Sequence, residues 1–110
     1  MKQYVIDGLR YNDYQKLKDF LDSHLVSSSI GGIYWLELDP EILTDIQREH
    51  VKCHPLVFGL MLEETCLSCE FLVRTQKNIK CECMAYATTD QRNWLIDQVD
   101  AILERLDIHI

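Results

Sequence analysis

Between Leu56 and Ala87 apolar and polar residues alternate along three consecutive runs, and this pattern constrains the fold more than any other part of the 110-residue chain. Alternation with a period of two puts one set of side chains on each face of a strand. A two-residue turn at Glu64-Thr65 and a three-residue turn at Gln76-Lys77-Asn78 would join the runs into an antiparallel meander. One face then carries Leu56, Phe58, Leu60 and Leu62, beside Leu67, Cys69, Phe71 and Val73, beside Ile79, Cys81, Cys83, Ala85 and Ala87. Shortening the second turn by one residue would set Cys81 beside Arg74 and mix the two faces, so the first register is preferred.

The rest of the chain supplies two more strands and three helices. Tyr4 to Leu9 reads as a first strand and Ile33 to Leu38 as a second, both rich in strand formers. Asn12, with Gln15 three residues on, predicts the cap of a helix running from about Asp13 to His24, its apolar stripe being Tyr14, Leu17, Leu21 and Leu25. Val26 to Gly32 breaks that helix and reads as a loop. Asp39 and Pro40 start a shorter helix with Ile42, Leu43 and Ile46 inward; Pro55 ends it by about Cys53. Thr89 or Asp90 caps the last helix, whose stripe holds Trp94, Leu95, Val99, Ile102, Leu103 and Leu106. The expected fold is therefore α+β: one domain over residues 1–110, a mainly antiparallel sheet of about five strands in the order β-α-β-short α-β-β-β-α. The long helices pack on one face.

Charge and composition narrow the function classes. Eighteen acids against eleven bases leave a net charge of −7, a field that repels nucleic-acid backbones and anionic lipid. The acids are spread along the helices as solvated faces, so neither nucleic acid nor membrane is an expected partner. No apolar run is long enough for a membrane span, and the N-terminus has no leader pattern, which predicts a cytoplasmic protein with its five cysteines reduced. No serine-nucleophile motif or paired carboxylate in a cleft is legible, so the reading leans away from an enzyme. Ser27-Ser28-Ser29 before Gly31-Gly32 leads into a strand and not into a helix, unlike a phosphate loop.

Histidine and cysteine are the residues with metal chemistry to offer. Cys66-Leu67-Ser68-Cys69 is a CxxC, but positions three apart on a strand face opposite ways. Cys81 and Cys83 share a face about 7 Å apart along a strand, too far for a disulfide, and read as small core hydrophobes. His50-Val51-Lys52-Cys53-His54 is the sharpest cluster: His50, Cys53 and His54, joined by Cys66, form the candidate set for a metal- or thiol-dependent protein. Against it, Pro55 takes His54 out of the helix, and histidine at a helix C-terminus has an ordinary electrostatic explanation. The expectation is therefore no cofactor, no bound metal and a melting temperature indifferent to chelator. The preferred function is an interaction or binding module. Its candidate surface is the outer sheet face, where Val57, Met61, Leu72, Met84 and Tyr86 are too apolar for water alone. The partner is a protein, most simply a second copy in a homodimer. Tyr34, Trp35 and Trp94 are read as core.

Overall fold

The computed structural model describes residues 2–29, 31–76 and 81–109. Strands β1 (Gln3–Ile6), β2 (Val26–Ser27), β3 (Ile33–Glu37), β4 (Leu56–Leu62) and β5 (Leu67–Thr75) form one antiparallel sheet in the spatial order β1-β5-β4-β3-β2. Helices α1 (Tyr11–His24) and α3 (Thr89–Arg105) cover one face of it. The α+β expectation holds, including five strands and long helices on one side. Among the described residues, no helix is long and apolar enough to cross a membrane.

The core lies between that face and the two helices. Leu17 and Leu21 of α1 and Leu95, Val99 and Leu103 of α3 meet Tyr34, Phe58, Leu60, Cys69 and Val73 from the sheet. Trp94 stacks on Phe58 with ring centroids 6.3 Å apart. Period two separates the neighbouring aromatics of β3. Tyr34 points into the core, whereas Trp35 crosses to the outer face, where its ring would lie 3.3 Å from a β-carbon at Gly59. The core reading of Trp35 is thus corrected. Glycine at position 59 leaves room there for Trp35 and for the Glu70 carboxylate, 2.9 Å from the same point.

Each helix is tied to the sheet by a tyrosine. Tyr34 donates to Asp22 of α1 at 2.5 Å, and Tyr4 of β1 donates to Asp100 of α3 at 2.6 Å. Burial, then the Asp22 bond, pushes Tyr34 up to about 12; the Asp100 bond, then burial, does the same for Tyr4. A phenol freed by unfolding ionises near 10. The native state therefore holds these protons longer, and the stability they contribute is complete below about 10 and lost as pH rises toward about 12. A tyrosinate absorbance titration is expected to find Tyr4 and Tyr34 still neutral in the folded protein above pH 10, where the unfolded chain would ionise them. Replacing both by Phe should flatten the alkaline fall in unfolding free energy; an unchanged fall would mean that other groups cause it.

Several local expectations are revised. The cap of α1 is Arg10, and Asp13 at the third helical position accepts from the Arg10 backbone N–H at 3.2 Å, which places Asn12 inside the first turn. Val26–Ser27 pairs with Trp35 and Tyr34, so the supposed loop begins as an edge strand. That hairpin closes through Gly32, whose φ of +86° suits glycine and whose carbonyl accepts from Leu62 N–H at 2.8 Å. The second helix is not continuous. A 3-10 turn at Pro40–Ile42, capped by Asp39, is followed by α2 (Asp45–Glu49), capped anew by Thr44, and by a second 3-10 turn at Val51–Cys53.

The meander is half right. The turn at Glu64-Thr65 forms, with Leu62 opposite Leu67 and Leu60 opposite Cys69 as expected. Beyond Gly59 the register shifts by two, so Phe58 faces Val73 instead of Phe71. A shift of two leaves every side chain on its own face and is therefore tolerated. The third strand is not built as expected. Lys77, Asn78 and Ile79 fall outside the described residues, and from Cys81 the chain turns, Met84 N–H bonding Cys81 O at 3.0 Å. Among the described residues of that expected strand, only Ala85 to Ala87 lies along β5, through the Leu72–Tyr86 bridge and bonds to Val73 and Phe71. The remaining edge of β5 is taken by β1.

Candidate metal centre

Two local devices and one long-range bond bring His50 and Cys53 together. Thr44 and Gln47 form a reciprocal capping box that starts α2 and makes His50 its C-cap. His50 then opens the 3-10 turn, with Cys53 N–H bonding His50 O at 2.9 Å. In a 3-10 turn residues three apart eclipse, so the H-x-x-C pair presents both side chains on one side. Thr75 at the end of β5 donates its hydroxyl to Cys53 O at 2.6 Å and fixes the turn to the sheet.

The second pair comes from the segment that failed to become a strand. The turn at Cys81–Met84 draws the two thiols of C-x-C inward, and Cys83 is 1% exposed. His50 Nδ1 lies 2.7 Å from Cys81 Sγ. The four candidate ligand atoms, from His50, Cys53, Cys81 and Cys83, all lie within 4.8 Å of one another. A tetrahedral zinc with bonds of about 2.0 to 2.3 Å has ligand–ligand edges of about 3.3 to 3.8 Å, so a cluster of this spread closes on an ion with small side-chain movements.

Electrostatics within the cluster are uneven. A hydrogen bond from the Cys83 backbone N–H, with further bonds from Cys83, His50 and Cys53, holds the Cys81 thiol down at about 6 against the opposing effect of burial. Burial, then the bonds to Cys53 and Cys81, pushes Cys83 up to about 12. Opposite shifts are what neighbouring thiols show when one ionises at the expense of the other. All five cysteines are free thiols. An open cavity of about 500 Å³, lined by Glu49, His50, Val51, Lys52, Cys53 and Cys81, adjoins the cluster.

The fold assembles half of the set drawn from sequence. His50 and Cys53 belong to the cluster. His54 does not: its Nε2 lies 2.6 Å from Gln47 O. Cys66 sits in the β4–β5 turn, its thiol bonding Glu63 at 3.4 Å, and a strand of seven residues separates that turn from His54. At the strand rise this is about 20 Å, too far for a shared ion. The expected set lacks Cys81 and Cys83, because a strand reading of their segment is governed by register and not by ligand spacing. The legible signal was the pairing of H-x-x-C with C-x-C. Cys69 is fully buried in the core as expected, its thiol pushed up to about 12 mainly by burial. Cys81 is half-buried and packs against the core from outside it, which corrects its reading as a core residue.

The residues of the outer-face surface meet different fates. Val57 is 1% exposed, flanked on its face by its cross-strand partners Glu37 and Arg74, and is not available to a partner. Met84 packs partly against the core, Leu72 is half-buried, and Met61 and Tyr86 are exposed. Comparison of the chain with known protein families, curated proteins and solved structures found no match. The cluster's own chemistry therefore carries the functional argument.

Proposed function

We propose that this protein is a zinc-stabilised domain in which His50 Nδ1 and the thiolates of Cys53, Cys81 and Cys83 hold one Zn²⁺. The observation that carries this reading is the convergence of those four donors from two separate segments. Three thiolates and an imidazole are a soft set that suits zinc over magnesium or calcium. Four protein donors complete a tetrahedron and leave no position for substrate, so the ion is structural. It ties the 3-10 turn after α2 to the segment that covers the end of β5. The thiols must stay reduced to bind, which suits a cytoplasmic setting. Contact with a protein partner, a second copy included, is a separate reading supported by the exposure of Met61 and Tyr86.

Native mass spectrometry of the purified chain tests the ligand set directly. One zinc per chain is expected in the wild type, in His54→Ala and in Cys66→Ser, and none in Cys83→Ser. A folded wild type that carries no zinc after incubation with excess metal sinks the proposal. Loss of zinc from Cys66→Ser would restore the set drawn from sequence.

A further inference from the structure

Gln47 and Gln91 are buried, at 3% and 0% exposure, although glutamine is ordinarily a surface residue. Both sit at the third position of a helix and close a capping box. Thr44 N–H donates to Gln47 Oε1 at 3.0 Å, and Thr88 N–H to Gln91 Oε1 at 3.1 Å. Capping uses only the side-chain oxygen, and glutamate serves equally well at that position. What glutamate lacks is the NH₂, and here both NH₂ groups are engaged. Gln91 Nε2 donates to Ile42 O at 2.9 Å and to Gln47 Oε1 at 2.8 Å; Gln47 Nε2 donates to the backbone carbonyl of Cys83 at 3.1 Å. The main chain of Gln47 adds the bond between its carbonyl and His54 Nε2, beside Cys53.

From this arrangement we infer that Gln47 is a positioning residue of the metal centre, holding the Cys83 ligand in place, and that Gln91 acts through Gln47. The inference rests on the zinc reading above. Gln47 touches both halves of the site without being a ligand: its carboxamide fixes the backbone of Cys83, and its carbonyl fixes the residue after Cys53. Gln91 fills the second lone pair of the Gln47 oxygen and so aims the Gln47 NH₂ at Cys83. Partners outside the ligand shell set ligand orientation in this way, and their loss typically weakens metal binding by about 10- to 100-fold.

Gln47→Glu and Gln91→Glu separate capping from positioning, since both keep the capping oxygen. Leu17→Ala, in α1 and neither a donor nor a lining residue of the adjoining cavity, serves as a control for loss of stability alone. For each full-length variant three quantities are measured: zinc affinity by chelator competition, the visible absorption of the Co²⁺-substituted protein, and the melting temperature of the metal-free form. Gln47→Glu is expected to weaken zinc by about 10- to 100-fold and to alter the cobalt spectrum, with Gln91→Glu changing both in the same direction by less. Leu17→Ala should leave the cobalt spectrum as in the wild type. Because glutamate at position 47 could impair folding, Gln47→Met provides a neutral second variant, which removes the capping oxygen as well as the NH₂ and is expected to lose at least as much affinity. Wild-type affinity and spectrum in both Gln47 variants would overturn the inference, as would losses no greater than in Leu17→Ala. A wild type that takes up neither zinc nor cobalt would overturn the metal reading itself, a result distinct from normal binding by the variants.

Discussion

Chelation of zinc is expected to lower the melting temperature of this protein by about 15 to 30 °C. A ligand bound only by the native state at about a thousand times its dissociation constant contributes about 4 kcal/mol. In a domain of this size each kilocalorie shifts the midpoint by about 4 to 8 °C. The effect reflects chemistry that unfolding abolishes, because His50 and Cys53 are separated from Cys81 and Cys83 by two strands of sequence and converge only in the fold. Calorimetry with and without EDTA measures the shift. Re-addition of zinc should restore the transition, whereas magnesium, which prefers oxygen ligands, should not. A midpoint that EDTA leaves within a degree or two would contradict a structural ion. Cys83→Ser should reproduce the chelated midpoint and gain nothing from added zinc.

Phe58→Ala is expected to cost about 3 to 5 kcal/mol, the range for truncating a buried aromatic. Phe58 is fully buried on β4, central in the sheet, opposite Val73 and stacked on Trp94 of α3. Removing the ring opens a cavity under α3 that the flanking strands cannot close without breaking their ladders. Urea unfolding followed by circular dichroism gives the number. Tyr11→Ala, at a side chain 69% exposed on α1, should by comparison change stability by less than about 0.5 kcal/mol. A cost for Phe58→Ala below about 1 kcal/mol would mean that β4 is not the core of this sheet.

Local rules go far in this chain. The apolar stripes of α1 and α3 lie where helical periodicity puts them, because a stripe of Leu17 and Leu21, or of Leu95, Val99 and Leu103, can be buried only against a sheet face. The turn at Glu64-Thr65 and the pairs beside it follow from alternation, since a slip of one residue would bury the polar set. Alternation cannot see a shift of two. The slippage at Gly59 keeps both faces intact, and Trp35 and Glu70 lie against that glycine.

The metal cluster shows where local reasoning ends. Cys81 and Cys83 fit a strand pattern as well as any small apolar residues, so sequence alone placed them beside Phe71 and Val73. Their actual neighbours are His50 and Cys53, from a turn nearly thirty residues earlier. What decides between these placements is non-local: β1 occupies one stretch of the β5 edge, and Gln47, itself held by Gln91, offers its hydrogen bond to Cys83 only once α2 and α3 have docked. Residue identities determined the two long helices, the inward face of the sheet and the donors available to a metal. Tertiary structure alone decided which donors meet, because ligand convergence depends on the path of the backbone between them and not on the spacing within either pair.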